Sequence, residues 1–282
     1  MSARAAAVPG APARRLRTVL LTRGGVYGAR VLERLGSCAT IELCGIVRSE
    51  RVLDARFGFL RGALALIRRC GLVYALYLWC TTTLADWLGA SRAAARAPGG
   101  THGRELPIHT TRDLNSPEGL KFLARCAPDL LVSAFFDQRL GEAVLAVPAR
   151  GCVNIHPSCL PEFRGVDPVL QARLARADSL GVTLHWMTPR LDEGAILAQQ
   201  PLALPARASV LEATAALFAA GAELLAANVG RIARRDPGAP QSAAGSYQSW
   251  PTRGEVRALR ALGIPLMRGA DLTTLLRTSG RC

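Results

Sequence analysis

The chain has 282 residues, 50% hydrophobic and 20% charged, and so reads as globular, with one large α/β domain or one domain plus a small appendage. Its formal charge of +14 rests on arginine, because Lys121 is the only lysine; that balance fits a phosphate-bearing ligand, another polyanion, nucleic acid or an anionic membrane surface without choosing among them. The eight cysteines form no CxxC pair and lie mostly inside apolar runs, so they read as reduced core residues of a cytosolic protein.

Residues 1–16 are rich in Ala, Pro and Arg and lack acids. No apolar stretch follows the charged start, so a disordered basic tail or an overextended start fits better than a signal peptide, with a short transit peptide left open. Thr18 to Leu21 predicts a buried strand, Thr22-Arg23-Gly24-Gly25 a turn, Val26 to Leu35 a helix and Ile41 to Val47 a second strand. In this β-α-β opening Gly24 and Gly25 are either a plain tight turn or the place where backbone N–H groups meet an anion at a helix N-terminus.

Residues 51–105 interrupt the rhythm. From Cys70 to Ala85 there are 16 consecutive uncharged residues rich in Leu, Tyr and Trp, bounded by Arg68-Arg69 and Asp86. That is shorter than the roughly 20 residues of a spanning helix. The segment is therefore either a helical insertion packed on the domain or an interfacial helix, with peripheral membrane contact through residues 60–88. Residues 90–105 read as a loop.

Further on, Leu106 to His109 predicts a short strand, and Asn115-Ser116-Pro117-Glu118 opens a helix to about Arg125, with Ser116 as N-cap and Pro117 in the first turn. Asp129 to Phe136 is apolar almost throughout, as in a parallel sheet covered on both faces. Gly151 to Ile155 is a further strand and runs into a polar cluster, where open α/β sheets collect their chemistry.

That cluster is Asn154-Ile155-His156-Pro157-Ser158-Cys159-Leu160-Pro161-Glu162-Phe163-Arg164-Gly165. Residues two apart in a strand share a face, so Asn154 and His156 project into one site, and Pro157 favours extended backbone before it. A second polar point follows the alternating strand Val182 to Met187, at Leu191-Asp192-Glu193-Gly194. Cys159, Asn154, His156 and Asp192 each have an ordinary structural explanation alone, and His185 reads as structural or at a substrate edge; the combination of amide, imidazole and carboxylate is what points to chemistry.

These segments resemble the formyltransferase family that includes glycinamide ribonucleotide, methionyl-tRNA and sugar-amine formyltransferases. The resemblance covers roughly residues 17–235 and is strongest in NIHPSCLPEFRG and GVTLHWMTPRLDEGAIL, where the Asn-x-His pair and the later Asp stand in the family's order. Cys159 departs from the leucine more usual there. The predicted elements and the resemblance together point to a doubly wound, mainly parallel α/β sheet, interrupted by the helical hydrophobic insertion; the resemblance implies 10-formyltetrahydrofolate as co-substrate, and the triad's chemistry calls for no metal. The resemblance also implies a folate pocket between the strand end at Phe135 to Gln138 and the loop of Asp192; Phe136, Asp137, Gln138 and Leu140 are assigned there by position.

Chemically, an amine attacking a formyl carbon puts negative charge on the carbonyl oxygen. Asn154 and His156 can donate to that oxygen, and Asp192 can orient the imidazole and help take the amine proton through water. Ser158, Arg164, Gly24 and Gly25 are expected to meet the acceptor, Arg164 through an anionic group. The expected boundaries are a tail at 1–16, a catalytic domain at 17–235 ending with a long helix from Val210 to Ile232, and an extension at 236–282. The extension is too short for the β-barrel domain of methionyl-tRNA formyltransferases, so a small amine, phosphate-bearing or sugar-linked, is expected as acceptor, with tRNA left open. The expected location is cytoplasmic, membrane-associated if the insertion is interfacial. A formyltetrahydrofolate hydrolase and a non-catalytic folate-binding protein of the same fold are the rival readings.

Overall fold

The computed structural model describes residues 14–53, 58–89, 106–177, 179–242 and 245–271. The expected loop at 90–105, Cys282 and most of the expected tail lie outside the described residues. Strands β1 (Leu16–Thr22), β2 (Ile41–Ser49), β3 (Ile108–Thr111), β4 (Leu130–Ala134), β5 (Cys152–His156), β7 (Leu180–Trp186) and β8 (Ile196–Leu202) form one sheet in the order β3-β2-β1-β4-β5-β7-β8. The first five run parallel; β7 and β8 are antiparallel to their neighbours. This is the doubly wound, mainly parallel sheet expected from the sequence.

Alternation of side chains builds two cores. Leu20, Val132 and Val153 point to the face covered by α1 (Gly25–Gly36) and the long helix α7 (Val210–Ala233). Val19, Leu21 and Leu131 point to the other face, beneath α4 (Pro117–Cys126) and α5 (Glu142–Leu145). Helix α4 begins as its sequence predicts, with Ser116 Oγ accepting from Gly119 N at 3.2 Å. Strand β7 is buried along both faces rather than alternating, because it lies inside the sheet between β5 and β8. Strand β3 sits two residues later than expected: it is the sheet edge, where Ile108 stays exposed and burial gives little pattern to read.

The described part of the insertion is helical. Helix α2 (Phe59–Cys70) is followed after Gly71 by α3 (Leu72–Trp79), which continues through a π-helical turn (Cys80–Leu84) to Trp87. Leu66, Cys70, Tyr74, Tyr77 and Leu78 join the first core, so the insertion is packed on the domain.

Among the described residues one helix, α7, is long and apolar enough to cross a membrane, but it carries twelve buried residues and packs on β5, β7 and β8. The described residues after 235 are not set apart either. A short strand β9 (Tyr247–Gln248) pairs with β6 (Arg164–Gly165), helix α8 (Arg253–Ala261) packs on α2 and on α6 (Pro168–Leu174), and buried Asp271 accepts from Ser209 Oγ at 2.7 Å.

Candidate active site

Strand β5 is central, hydrogen-bonded to β4 on one side and β7 on the other, and its carboxyl end delivers Asn154 and His156 to one cleft. The β5–β7 register sets Asn154 directly opposite His185, where Cβ atoms of facing residues lie close together. Asn154 Nδ2 reaches His185 Nε2 at 3.2 Å and Asp192 Oδ1 at 3.4 Å. Asp192 comes from the loop after β7, in left-handed backbone at φ 54°, and its Oδ2 accepts from Gly165 N at 2.9 Å. His156 Nδ1 and His185 Nε2 each lie 3.7 Å from Asp192 Oδ1. The three residues singled out from the sequence therefore meet around one carboxylate.

Two details differ from the expected arrangement. His156 Nε2 lies 3.0 Å from the Phe163 carbonyl, which can only accept, so the proton on that nitrogen points into the loop after β5. Both amide hydrogens of Asn154 are engaged as well, by His185 and Asp192. A substrate carbonyl would have to replace one of these contacts, and the 3.4 Å bond to Asp192 is the weakest; such bonds shorten or exchange when a reactant enters.

His185, read from the sequence as structural or at a substrate edge, is the positioning partner of Asn154. Its Nδ1 lies 2.8 Å from the Trp186 carbonyl, so Nδ1 carries the proton and Nε2 offers its lone pair to Asn154. Burial pushes the imidazole down to about 4 against the opposing pull of Asp192. His185 is thus neutral in the fold. Because its folded value is below the ordinary 6.5, its contribution to stability is complete above pH 6.5 and is lost as pH falls towards 4. Half-buried Asp167, pushed up to about 6 by desolvation, acts with the opposite sign across the same window. Urea midpoints measured from pH 7 to pH 4 should therefore show His185→Gln losing less stability on acidification than the wild-type chain, by a few kcal/mol; equal slopes would contradict the buried neutral imidazole.

The cleft together with the open solvent at its mouth spans about 1250 Å³. Phe136, Asp137, Gln138 and Leu140 all line it, as do residues 187–192. Asp137 accepts from Ser49 Oγ at 2.5 Å, and its Oδ2 lies 3.2 Å from Arg23 Nη1 in a buried ion pair without hydrogen-bond alignment. The Gln138 side chain is spent on structure: Nε2 donates to Ser49 Oγ and to the Thr111 carbonyl, and Oε1 accepts from Leu114 N, tying together the ends of β2, β3 and β4.

The opposite wall was not legible in the sequence. It is made by Tyr27 of α1, Tyr74 and Tyr77 of the insertion, Phe218 of α7, Asp167 and Trp250. Tyr27 and Tyr77 hydroxyls are 2.7 Å apart, and Tyr74 donates to Asp167 Oδ2 at 3.0 Å. The signal available was the Tyr74 to Tyr77 spacing of one helical turn inside the insertion, which says that both share a face but not what that face meets.

Four expected acceptor contacts lie elsewhere. Ser158 is buried and donates to the Glu162 carbonyl at 2.8 Å, shaping the loop after β5. Arg164 turns away from the cleft, donating to Gln241 Oε1 at 2.9 Å and to the Ser242 carbonyl, while Gln241 Nε2 holds the Asp192 and Gly194 carbonyls. Arg164 thus supports the Asp192 loop rather than a ligand anion. Gly24 and Gly25 do adopt positive φ, yet the anion at this helix end is the chain's own: Gly25 N donates to Asp86 Oδ1 at 2.8 Å, and Arg48 pairs with Asp86 Oδ2. A Cβ on Gly25 would lie 2.0 Å from the Thr81 carbonyl oxygen, so the insertion covers the turn completely.

Because Asp86 couples the insertion to α1 by a charge-assisted bond and the helix dipole, Asp86→Ala should lower stability by about 2 kcal/mol. Added sulfate should raise the melting temperature of that variant more than that of the wild type, and an unchanged melting temperature in Asp86→Ala would contradict the assignment.

Cys159 lies beside the site but is no ready nucleophile, since burial and then Glu162 push its thiol up. The described cysteines are all free. Among the described residues no group of three or more His, Cys, Asp or Glu is placed to hold a metal ion.

Residues 77–228 match the family model described as formyl transferase, and the chain belongs to that family. It is 37% identical over 151 residues to a methionyl-tRNA formyltransferase of Moorella thermoacetica, covering 53% of this chain and 49% of that one. It is 41% identical over 133 residues to a methionyl-tRNA formyltransferase of Chloroflexus aggregans, covering 47% and 42%. The chain thus spans about half the length of the curated relatives it matches. Among solved structures, a sugar N-formyltransferase from a Shewanella species superposes with a TM-score of 0.52 at 15% identity, over 93% of this chain and 87% of that one. A phosphoribosylglycinamide formyltransferase from Anaplasma phagocytophilum gives 0.52 at 20% identity, over 84% and 99%. These two likenesses are of fold.

Proposed function

We propose that this chain transfers a formyl group from 10-formyltetrahydrofolate to the amine of a small acceptor, with Asn154, His156 and Asp192 acting on the reacting atoms. The observation that carries the reading is the convergence of these three side chains at the end of β5, in a chain of the formyltransferase family. The amine nitrogen bonds to the formyl carbon, and negative charge develops on the formyl oxygen. Asn154 stabilises that oxygen by exchanging its bond to Asp192, and His156 does so once its Nε2–H leaves the Phe163 carbonyl, each well-placed donor being worth about 3 kcal/mol. The bond from carbon to the folate nitrogen then breaks, and the proton lost by the amine passes by way of Asp192 and water to that nitrogen.

The donor suits the end of the cleft bounded by Phe136, Leu140 and Met187, whose apolar walls fit a flat heteroaromatic ring. The Asp137 oxygen without an aligned donor offers a partner for a ring amino group. The acceptor suits the aromatic end, where Tyr74, Tyr77 and Trp250 can pack on the apolar face of a sugar amine and Asp167 can take one hydrogen bond.

A second reading, the amine of an aminoacyl-tRNA, is favoured by the names of the relatives and by the net charge of +14. The two separate in one experiment: 10-formyltetrahydrofolate is supplied to the chain with a panel of amino sugars and nucleotide-linked amino sugars, and in parallel with methionyl-tRNA. Formylation within the panel supports the first reading. Formylation of methionyl-tRNA alone replaces it with the second, and formate released without a formylated product overturns both.

A further inference from the structure

Eight of the ten exposed large hydrophobic side chains among the described residues lie between Phe59 and Trp87. They run from Phe59 and Leu60 on α2, through Leu72, Leu76 and Trp79 on α3, to Trp87. Helix α3 is two-sided: Tyr74, Tyr77 and Leu78 face the cleft and the core, while Leu72, Val73, Leu76 and Trp79 face outward. Nothing in the proposed chemistry uses the outer side, and such a concentration of exposed apolar surface marks a place of contact.

The surroundings say with what. Exposed Arg61, Arg68 and Arg69 lie on α2, and exposed Arg253, Arg257 and Arg260 on α8, which packs against α2 through the Arg253 guanidinium and the Ile67 carbonyl. The one acid within residues 58–89 is Asp86, paired with Arg48 on the inner side. An apolar face carrying two tryptophans and rimmed by arginines is complementary to the headgroup layer of an anionic bilayer. It is not complementary to itself, because two copies meeting on this face would oppose their arginine rims. Nor does it span: α2 has 12 residues, and α3 with its continuation ends at Trp87.

We propose that the outer face of α2 and α3 docks on anionic phospholipid bilayers, with Leu72, Leu76 and Trp79 entering the interface and Arg61, Arg68 and Arg69 meeting the phosphates. The docking helix is also a wall of the cleft, so that wall is held about one helix diameter from the lipid headgroups. This surface is independent of which amine is formylated.

Co-sedimentation of the full chain with vesicles tests it. The chain is expected to pellet with vesicles of phosphatidylglycerol mixed with phosphatidylcholine, to stay in solution with phosphatidylcholine alone, and to be released by high salt. Leu72→Ser with Leu76→Ser, and separately Arg68→Glu with Arg69→Glu, should each weaken binding roughly tenfold or more while thermal unfolding changes little, since all four side chains are exposed and the hydrogen bond lost, Arg69 to Ser249 Oγ, lies at the surface. Failure to bind anionic vesicles, equal binding to phosphatidylcholine, or undiminished binding by both paired variants would overturn the proposal. A dimer that forms through this face and leaves vesicles alone would overturn it too, and would give the face to a second copy.

Discussion

Asp192→Asn is expected to lower kcat for formyl transfer by about two to four orders of magnitude, the range over which a positioned proton-transfer group usually acts. The carboxylate receives Gly165 N and Asn154 Nδ2 and faces two imidazole nitrogens. An amide keeps the shape and tolerates the positive φ of this position, but it removes the charge and replaces one acceptor oxygen by a donor. The Gly165 or Asn154 contact is then lost, and the amine proton has no carboxylate to receive it. His156→Ala should cost a similar factor, and because the residues act as a unit the double variant should be little worse than either single one. Thermal unfolding should change little, since Asn fits the loop. Wild-type turnover in either single variant, measured with chemistry rate-limiting, would contradict the assigned roles.

Gly194→Ala should be nearly as damaging although residue 194 touches no reacting atom. A Cβ there would lie 1.7 Å from the Trp186 carbonyl oxygen, so the loop after β7 has to lift away from the strand. That loop also carries Asp192, and Gln241 holds it by the carbonyls of Asp192 and Gly194 together. Displacement by about 1 Å is enough to cost on the order of a hundredfold in rate. Overpacking should add about 1–3 kcal/mol of destabilisation. Parallel measurement of kcat/KM and urea unfolding checks both parts, and wild-type values in each would show that the loop yields elsewhere without moving Asp192.

The contrast between these residues and the ones misplaced from sequence is physical. Ser116 and Pro117 announce a helix start because a cap is a local hydrogen bond completed within three residues. Asn154 and His156 are legible because strand alternation alone puts them on one face. The Asn154–His185 contact depends instead on the register of β5 against β7, which no local pattern carries. Gly24 and Gly25 mark the strand-to-helix junction the sequence pointed to, with Gly25 already the first residue of α1, but the carboxylate that meets it comes from Asp86, 61 residues beyond Gly25. Arg164 looked available because an arginine after a motif resembles an anion receptor; its partners, Gln241 and Ser242, lie in the extension that the sequence placed outside the domain. The aromatic wall escaped for the same reason, since helical spacing shows that Tyr74 and Tyr77 share a face while the cleft behind them is tertiary.

The most direct test follows the formyl carbon itself. Donor labelled in the formyl group is added with the chain to an extract of small molecules, and labelled products are followed by mass spectrometry beside the tetrahydrofolate formed. The account predicts tetrahydrofolate in equal amount to a labelled formamide, with both lost in Asp192→Asn. Labelled formate as the sole product, or formamide production undiminished in Asp192→Asn, would contradict it.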